Sequence, residues 1–275
     1  AIVQIHHGGA QALPELTPDG DVVAPSAISL KSFGQQKEHD AREMTAEEIE
    51  QTIRDFGEAT RRAIEAGFDG VEIHGANHYL IHQFVSPYYN RRNDVWADNY
   101  KFPVAVIDEV VKAKKAHAND DFIIGYRLSP EEAESPGISM EITEELIHQI
   151  ANKPLDYIHV SLMDVNSVTR EGKYKGENRL ELIHQWINGR MPLIGIGSVF
   201  TAEDALNAVE NIGVEFVALG REILLDYDFV AKIKEGREDE IINAFDPNRE
   251  DQHYLTPNLW EQFNQGFYPL PRKDK

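Results

Sequence analysis

Within the stretch VEIHGANHYLIHQFVSPYYN, Val71 to Asn90, an imidazole, a carboxamide and a phenol fall at His74, Asn77 and Tyr79. Gathered around one small space, these groups offer a bound molecule hydrogen-bond donors and an exchangeable proton. A regular helix through the whole stretch would put His74 and Asn77 on one face and turn Tyr79 away from both. Convergence needs a strand that ends at His74 and a helix that starts late. Gly75 and Ala76 are small enough for the tight turn between them. A second chemical signal lies further on. PLIGIGSVFTAED is an apolar run ending in glycines, followed by Thr201 with Asp204 at capping-box distance. VEFVALGREIL ends at Gly220 and adds Arg221, a forked donor suited to phosphate oxygens. Gly197 on the first run, with Gly220 and Arg221 on the second, points to a phosphate-bearing ligand; two ordinary tight turns are the plainer alternative.

The elements that must position these groups alternate in type. Apolar runs of strand length occur at Ile2–Ile5, Gly70–Ile73, Phe122–Arg127, Tyr157–Ser161, Leu193–Ile196 and Glu215–Leu219. Between them lie helical stripes. The clearest starts at Thr45, in capping-box spacing with Glu48, carries Ile49, Ile53, Phe56 and Ile64, and stops at Gly67. Others run through Pro103–His117, Glu141–Ala151 and Thr201–Val209. Strand alternating with helix, with strands apolar on both faces, predicts an α/β fold with a parallel sheet covered by helices. Chemistry then belongs at the carboxyl ends of the strands, where Gln4, His7, His74, Arg127, His159 and Ser161 stand. Residues 8–44, rich in Pro, Gly and Ser, are expected as a long βα loop over that end. The chain is expected to form one domain over 1–275, with 248–275 an irregular or partly helical tail.

Composition narrows the classes. A formal charge of −20 over 275 residues disfavours nucleic acid and membrane surfaces, because both require clustered Lys and Arg. With no cysteine there is no disulfide framework, thiolate nucleophile or cysteine-held iron–sulfur cluster, which is compatible with a reducing, cytoplasmic compartment. No apolar run approaches the roughly 18 residues of a membrane span. The partner expected is a small-molecule substrate, and a homo-oligomer is compatible with this composition.

The segments VEIHGANHYLIHQFVSP, GYRLSP, YIHVS, PLIGIGSV and FVALGREIL, in this order, resemble the Old Yellow Enzyme family of FMN-dependent, NADH- or NADPH-linked oxidoreductases. The resemblance runs from Gln4 to about Ile233, and its most specific part is His-x-x-Asn-x-Tyr. It implies a (β/α)8 TIM barrel that reduces activated alkenes. It also implies roles: Gln4 at the pyrimidine edge of the flavin, Arg127 beside N1 and O2, and Gly197, Ser198, Gly220 and Arg221 around the FMN phosphate. His74 and Asn77 would bind the substrate carbonyl, and Tyr79 would donate a proton. Hydride delivery from flavin N5 to an enone builds charge on the carbonyl oxygen, which two aimed donors stabilise, and the basic α-carbon then takes a proton from a phenol.

Two departures from the family pattern stand out. VWADNYKFP follows NRRND where the family continues with Tyr, Gly, Gly and a Glu-Asn-Arg element, and His78 precedes Tyr79 where a small residue is usual. The six runs also begin at what would be the third barrel strand. The first two strands are therefore expected upstream of Ala1, in a chain about 100 residues longer, roughly two βα units plus a lead-in. Rival functions are a non-flavin isomerase or aldolase acting on a phosphorylated substrate, which would need a clear Lys or carboxylate base, and a non-catalytic binding barrel. No metal site is expected: His74, His78 and His82 are spaced by four, but the Glu of an H-E-x-x-H element is missing.

Overall fold

The computed structural model describes residues 1–32, 37–253, 255–267 and 269–273. The chain divides into two compact units, Ala1–Ser161 with Val168–Leu193, and Leu162–Ser167 with the chain from Ile194 on.

In the first unit the elements are β1 (Ile2–Ile5), β2 (Val23–Ala24), β3 (Ile28–Leu30), β4 (His39–Glu43), α1 (Ala46–Glu65), β5 (Gly70–Gly75), α2 (Leu80–Val85), α3 (Lys101–His117), β6 (Ile123–Leu128), α4 (Met140–Ile150), β7 (Tyr157–Val160) and α5 (Arg179–Ile187). The strands β1, β5, β6 and β7 pair side by side in parallel. Every residue of β5 is buried, which accounts for the unbroken run GVEIHG in place of an alternating one. Phe84, Phe102, Ile73, Ile107 and Ile124 are fully buried, each worth about 1.5–3 kcal/mol relative to exposure, and Tyr126 is fully buried among them. Phe84 stacks on Phe102 with centroids 4.0 Å apart.

Thr45 caps α1 through the expected capping box with Glu48. The face α1 buries is Ile49, Thr52, Phe56, Gly57, Thr60 and Ala63, and Ile53 and Ile64 are only half-buried on its flank. Residues 8–44 are more ordered than a loop. They hold three 3-10 turns and a small sheet in which β4 pairs parallel to β2 and antiparallel to β3. Its strands are two to five residues long, too short for an alternating pattern to be read in a Pro- and Gly-rich stretch. Part of that segment, residues 33–36, lies outside the described residues.

The second unit contains β8 (Leu193–Ile196), at whose first residue the boundary falls, α6 (Ala202–Asn207), β9 (Phe216–Ala218), α7 (Arg221–Leu225), α8 (Phe229–Lys234) and α9 (Pro257–Asn264). β8 and β9 pair in parallel. Thr201 caps α6 with Asp204 as expected, but the α-helix ends at Asn207 and a π-turn, Ala208–Ile212, carries the chain to left-handed Gly213. α9 makes the tail partly helical. Its Phe263 buries with Leu225 and Phe245 in a small core of this unit.

Candidate active site and anion cradle

Parallel pairing in the first unit sets two rows of side chains. Register aligns Gln4, Glu72, Gly125 and Tyr157 in one row, and His74, Arg127 and His159 two residues further along the same strands. Alternation puts both rows on one face of the sheet. Gly125 is required here, because a Cβ on it would lie 2.0 Å from the Tyr157 ring. The space left by Gly125 lets Tyr157 reach sideways and donate to Glu72 Oε2 at 3.0 Å. Gln4 Nε2 donates to Glu72 Oε1 at 2.5 Å, and His159 Nδ1 bonds Glu72 Oε2 at 2.9 Å. Burial would push the Glu72 carboxyl up, but His159, Gln4 and Tyr157 together hold it below its ordinary range. With Nε2 committed to Glu72, Oε1 is the acceptor end of the Gln4 amide. Sequence reasoning missed Glu72, although a Glu two residues before His74 in a buried strand must share its face.

The strand leading to His74 ends at Gly75, and α2 does not begin until Leu80. Between them Asn77 (φ 57°) and His78 (φ 60°) are both left-handed, and Tyr79 occupies the N-cap position. This turn brings Tyr79 back over His74, with ring centroids 5.3 Å apart. His6 joins them, its ring 5.1 Å from Tyr79 and 6.0 Å from His74. The expectation at the end of β1 was His7, one residue off: Gln4 and His6 share a face, whereas His7 Nδ1 turns back to accept from Gly9 N at 3.0 Å. Asn77 is fixed at three points. Its N–H donates to Ser129 Oγ at 3.0 Å, and its Oδ1 accepts from Ser161 Oγ at 2.9 Å and Ser129 Oγ at 3.3 Å. Both lone pairs of Oδ1 are thereby used, so Nδ2 is the end of the amide directed elsewhere.

His74 is 3% exposed, and burial, with the Arg127 and His6 charges, pushes its imidazole down to about 4. It is therefore neutral at pH 7, with one N–H to donate, and its buried Nδ1 has no hydrogen-bond partner among the described residues. Arg127 Nη2 donates to Ser161 Oγ at 3.0 Å, while its buried Nε is without a partner among the described residues. Burial pulls this guanidinium below its ordinary value, and the Glu72 charge only partly opposes that. A desolvated cation with an unused donor is what an electron-rich ring edge or a developing anion would satisfy.

In the second unit Gly197 (φ 133°) and Ser198 (φ 50°) turn the chain sharply after β8. A Cβ at Gly197 would sit 2.5 Å from Asp164 N, so only glycine fits. Ser198 Oγ donates to Met163 O at 2.7 Å, and Val165 N donates to Gly197 O at 3.1 Å, tying the two loops together. Arg221 is held by neutral acceptors alone among the described residues: Pro269 O at 2.8 Å, Met163 O at 2.9 Å and Ser198 Oγ at 3.1 Å. Its charge is thus positioned but not neutralised by a carboxylate. A Cβ on Gly220 would approach nothing closer than Ile196 Cδ1 at 3.9 Å, so that glycine is not forced by the chain itself. Gly197, Ser198 and Arg221 meet in one cradle, and its uncompensated cation suits a phosphate. On these grounds the residues of each unit fit the part of FMN that the resemblance gives them.

The model of the NADH:flavin oxidoreductase / NADH oxidase family matches residues 1–240, and the chain belongs to that family, the Old Yellow Enzyme family of flavin-dependent oxidoreductases. It is similar to the probable NADH-dependent flavin oxidoreductase YqiG of Bacillus subtilis (strain 168), 48% identical over 275 residues that cover 98% of this chain and 72% of that protein. It is 39% identical over 270 residues to the NADH:fumarate oxidoreductase of Klebsiella pneumoniae (strain 342), covering 94% of this chain but 28% of that protein. Among solved structures, the old yellow enzyme homologue from Zymomonas mobilis superposes with a TM-score of 0.69 at 21% identity, over 94% of this chain and 71% of that one. The fold is that of the family, α/β with parallel strands of the (β/α)8 type, and the enzyme class is oxidoreductase with FMN and a reduced nicotinamide as its cofactors. Membership in a flavin family decides against the non-flavin isomerase or aldolase.

Proposed function

We propose that this chain acts as an FMN-dependent, NADH- or NADPH-linked reductase of the activated C=C bond of an α,β-unsaturated carbonyl or related acceptor. The observation that carries it is the convergence of the His74 and Tyr79 rings at 5.3 Å, with an Asn77 side-chain amide whose Oδ1 is held by Ser129 and Ser161. When bound, FMN supplies the two-electron reducing chemistry. Gln4 and Arg127 would contact its ring system; Gly197, Ser198, Gly220 and Arg221 would take its phosphate. Neutral His74 and Asn77 Nδ2 donate to the substrate's carbonyl oxygen and stabilise the charge that grows there. Tyr79 gives its phenolic proton to the α-carbon. The paired seryl hydroxyls keep Asn77 pointed at the oxygen throughout, so no reorganisation is needed as charge develops.

The test is to load the purified protein with FMN, record its flavin spectrum, and follow NADH or NADPH oxidation with an enone such as cyclohexenone. Uptake of one flavin per chain and enone-dependent turnover are expected. A protein that takes up no FMN, or a loaded one that passes no electrons to an enone, nitroalkene or quinone, overturns the reading.

A further inference from the structure

His78 is an unlikely residue at φ 60°, where a Cβ adds strain and glycine is at ease. Its ring lies against that of His82, one helical turn on, with centroids 4.6 Å apart. Both face Glu132, which arrives from the segment after β6. His82 Nε2 is 2.7 Å from Glu132 Oε2, and His78 Nδ1 is 3.6 Å from the same oxygen. One ligand-type atom from each of the three residues lies within 4.8 Å of the others. His82 and the Glu132 side chain are almost wholly buried, and the His78 side chain is 24% exposed.

The carboxylate is held in place from behind. Its other oxygen, Oε1, accepts from Ser86 Oγ and from Ile138 N, and Glu132 N donates to Ile138 O, closing the loop on itself. Gly137 permits that closure, since a Cβ there would lie 2.3 Å from Glu134 O. Oε2 is therefore the oxygen presented to the two imidazoles.

We propose that His78, His82 and Glu132 form a three-ligand binding site for a zinc-class divalent cation, with water completing the coordination. Two imidazoles with one carboxylate oxygen form a borderline donor set, which favours zinc over magnesium or calcium. Tetrahedral ligands about 2.0–2.2 Å from zinc are separated from one another by roughly 3.4 Å. The 3.6 Å gap between His78 and Glu132 already matches, and the 2.7 Å contact between His82 and Glu132 opens slightly as the cation takes the place of the Nε2 proton, which the neutral ring carries on Nδ1 instead. The bonds from Ser86 and Ile138 to Oε1 then serve as the outer support that ligating carboxylates need. The four-residue spacing of His78 and His82 is visible in the sequence, but the acid comes from fifty residues later, where no local motif shows it.

The site is tested on the FMN-loaded full chain by equilibrium dialysis against zinc and by the visible absorbance of added cobalt. One zinc per chain at submicromolar free metal and a tetrahedral cobalt band are expected. His78→Gly, which relieves the left-handed strain and so should not weaken the fold, and Glu132→Gln, which preserves side-chain shape, should each weaken zinc binding at least 100-fold. Thermal melts of both variants check that they remain folded, and in the parent zinc should raise the melting temperature. No stoichiometric zinc in the parent overturns the site and leaves His82 and Glu132 as a buried hydrogen-bonded brace. Zinc bound by His78→Gly as tightly as by the parent also overturns it, and assigns the metal to other histidines.

Discussion

Ser161 Oγ donates to Asn77 Oδ1 at 2.9 Å, and the same hydroxyl accepts from Arg127 Nη2 at 3.0 Å. One serine at the end of β7 thus couples the amide proposed for the substrate oxygen to the cation proposed for the flavin. Ser161 is a positioning residue. Its replacement in Ser161→Ala should loosen the Asn77 amide without emptying the site, since Ser129 still holds Oδ1 at 3.3 Å. A neutral hydrogen bond contributes about 0.5–1.5 kcal/mol, so affinity for a phenol that mimics the enolate oxygen should fall by roughly threefold to tenfold. Ser161→Thr should restore it. Phenol titrations of the FMN-loaded variants, read from the flavin spectrum, decide; equal affinity in parent and Ser161→Ala removes the serine from this role.

Tyr79 separates the two half-reactions. Only the alkene step needs a proton on carbon, so Tyr79→Phe should leave flavin reduction by NADH or NADPH nearly unchanged and slow reoxidation by an enone. General acid catalysis is typically worth about 10²–10⁴-fold, which sets the expected loss. Stopped-flow traces at a series of enone concentrations measure it. Reoxidation of Tyr79→Phe at the parent rate would assign the proton to another donor, for which the His6 ring, 5.1 Å from that of Tyr79, is a candidate.

Arg221 reads the phosphate end. Charge-assisted hydrogen bonds contribute about 1.5–3 kcal/mol, so Arg221→Ala should weaken FMN binding by that amount, about 10-fold to 150-fold. Because Arg221 also ties Met163 O, Ser198 Oγ and Pro269 O, Arg221→Lys is the informative partner: it keeps the charge and loses the fork. Fluorescence titration with FMN and with riboflavin measures both variants. Riboflavin has no phosphate, so its affinity should change little; an equal loss for both ligands would mean that Arg221 acts only through the loop.

Much of this architecture could be read from residue pattern. All six expected strand segments appear within two residues of their expected limits: β5 and β6 are buried, continuous apolar runs, β1 and β9 keep apolar runs although their residues are exposed or half-buried, and Thr45 and Thr201 announce their helices by capping boxes. The helix α5 went unforeseen. Its N-cap, Asn178, accepts from Leu180 N and Glu181 N, but the signal is buried in a polar stretch. At the site, local sequence carried His74, Asn77 and Tyr79, whose convergence depends on one turn. It could not carry contacts made by register across strands. Glu72 meets His159 eighty-seven positions away, and Asn77 meets Ser161 eighty-four away, so only the pairing of β5, β6 and β7 brings them together. The same limit hid Glu132 from His78 and His82.

The protonation of His74 gives a prediction with a definite sign. Burial first, then the Arg127 and His6 charges, with His159 adding to them and Glu72 opposing, holds its folded value at about 4 against an ordinary 6.5. Above pH 6.5 the imidazole is neutral in both folded and unfolded chains, and it adds nothing to the pH dependence. Between about 6.5 and 4 the unfolded chain takes up a proton that the folded chain refuses, so stability falls as pH falls through that window. A depression of this size corresponds to a loss of up to about 3 kcal/mol. Acid also weakens Glu72 and Glu132, whose folded values lie below the ordinary range, so the parent alone does not isolate His74. His74→Asn retains a hydrogen-bond donor and cannot titrate. Urea midpoints at pH 7 and pH 4.5 should therefore converge: the parent loses more stability than His74→Asn on acidification, by about 2–3 kcal/mol. Equal losses in the two proteins would show that His74 is not held neutral by its site, and would weaken its role as a neutral donor to the substrate oxygen.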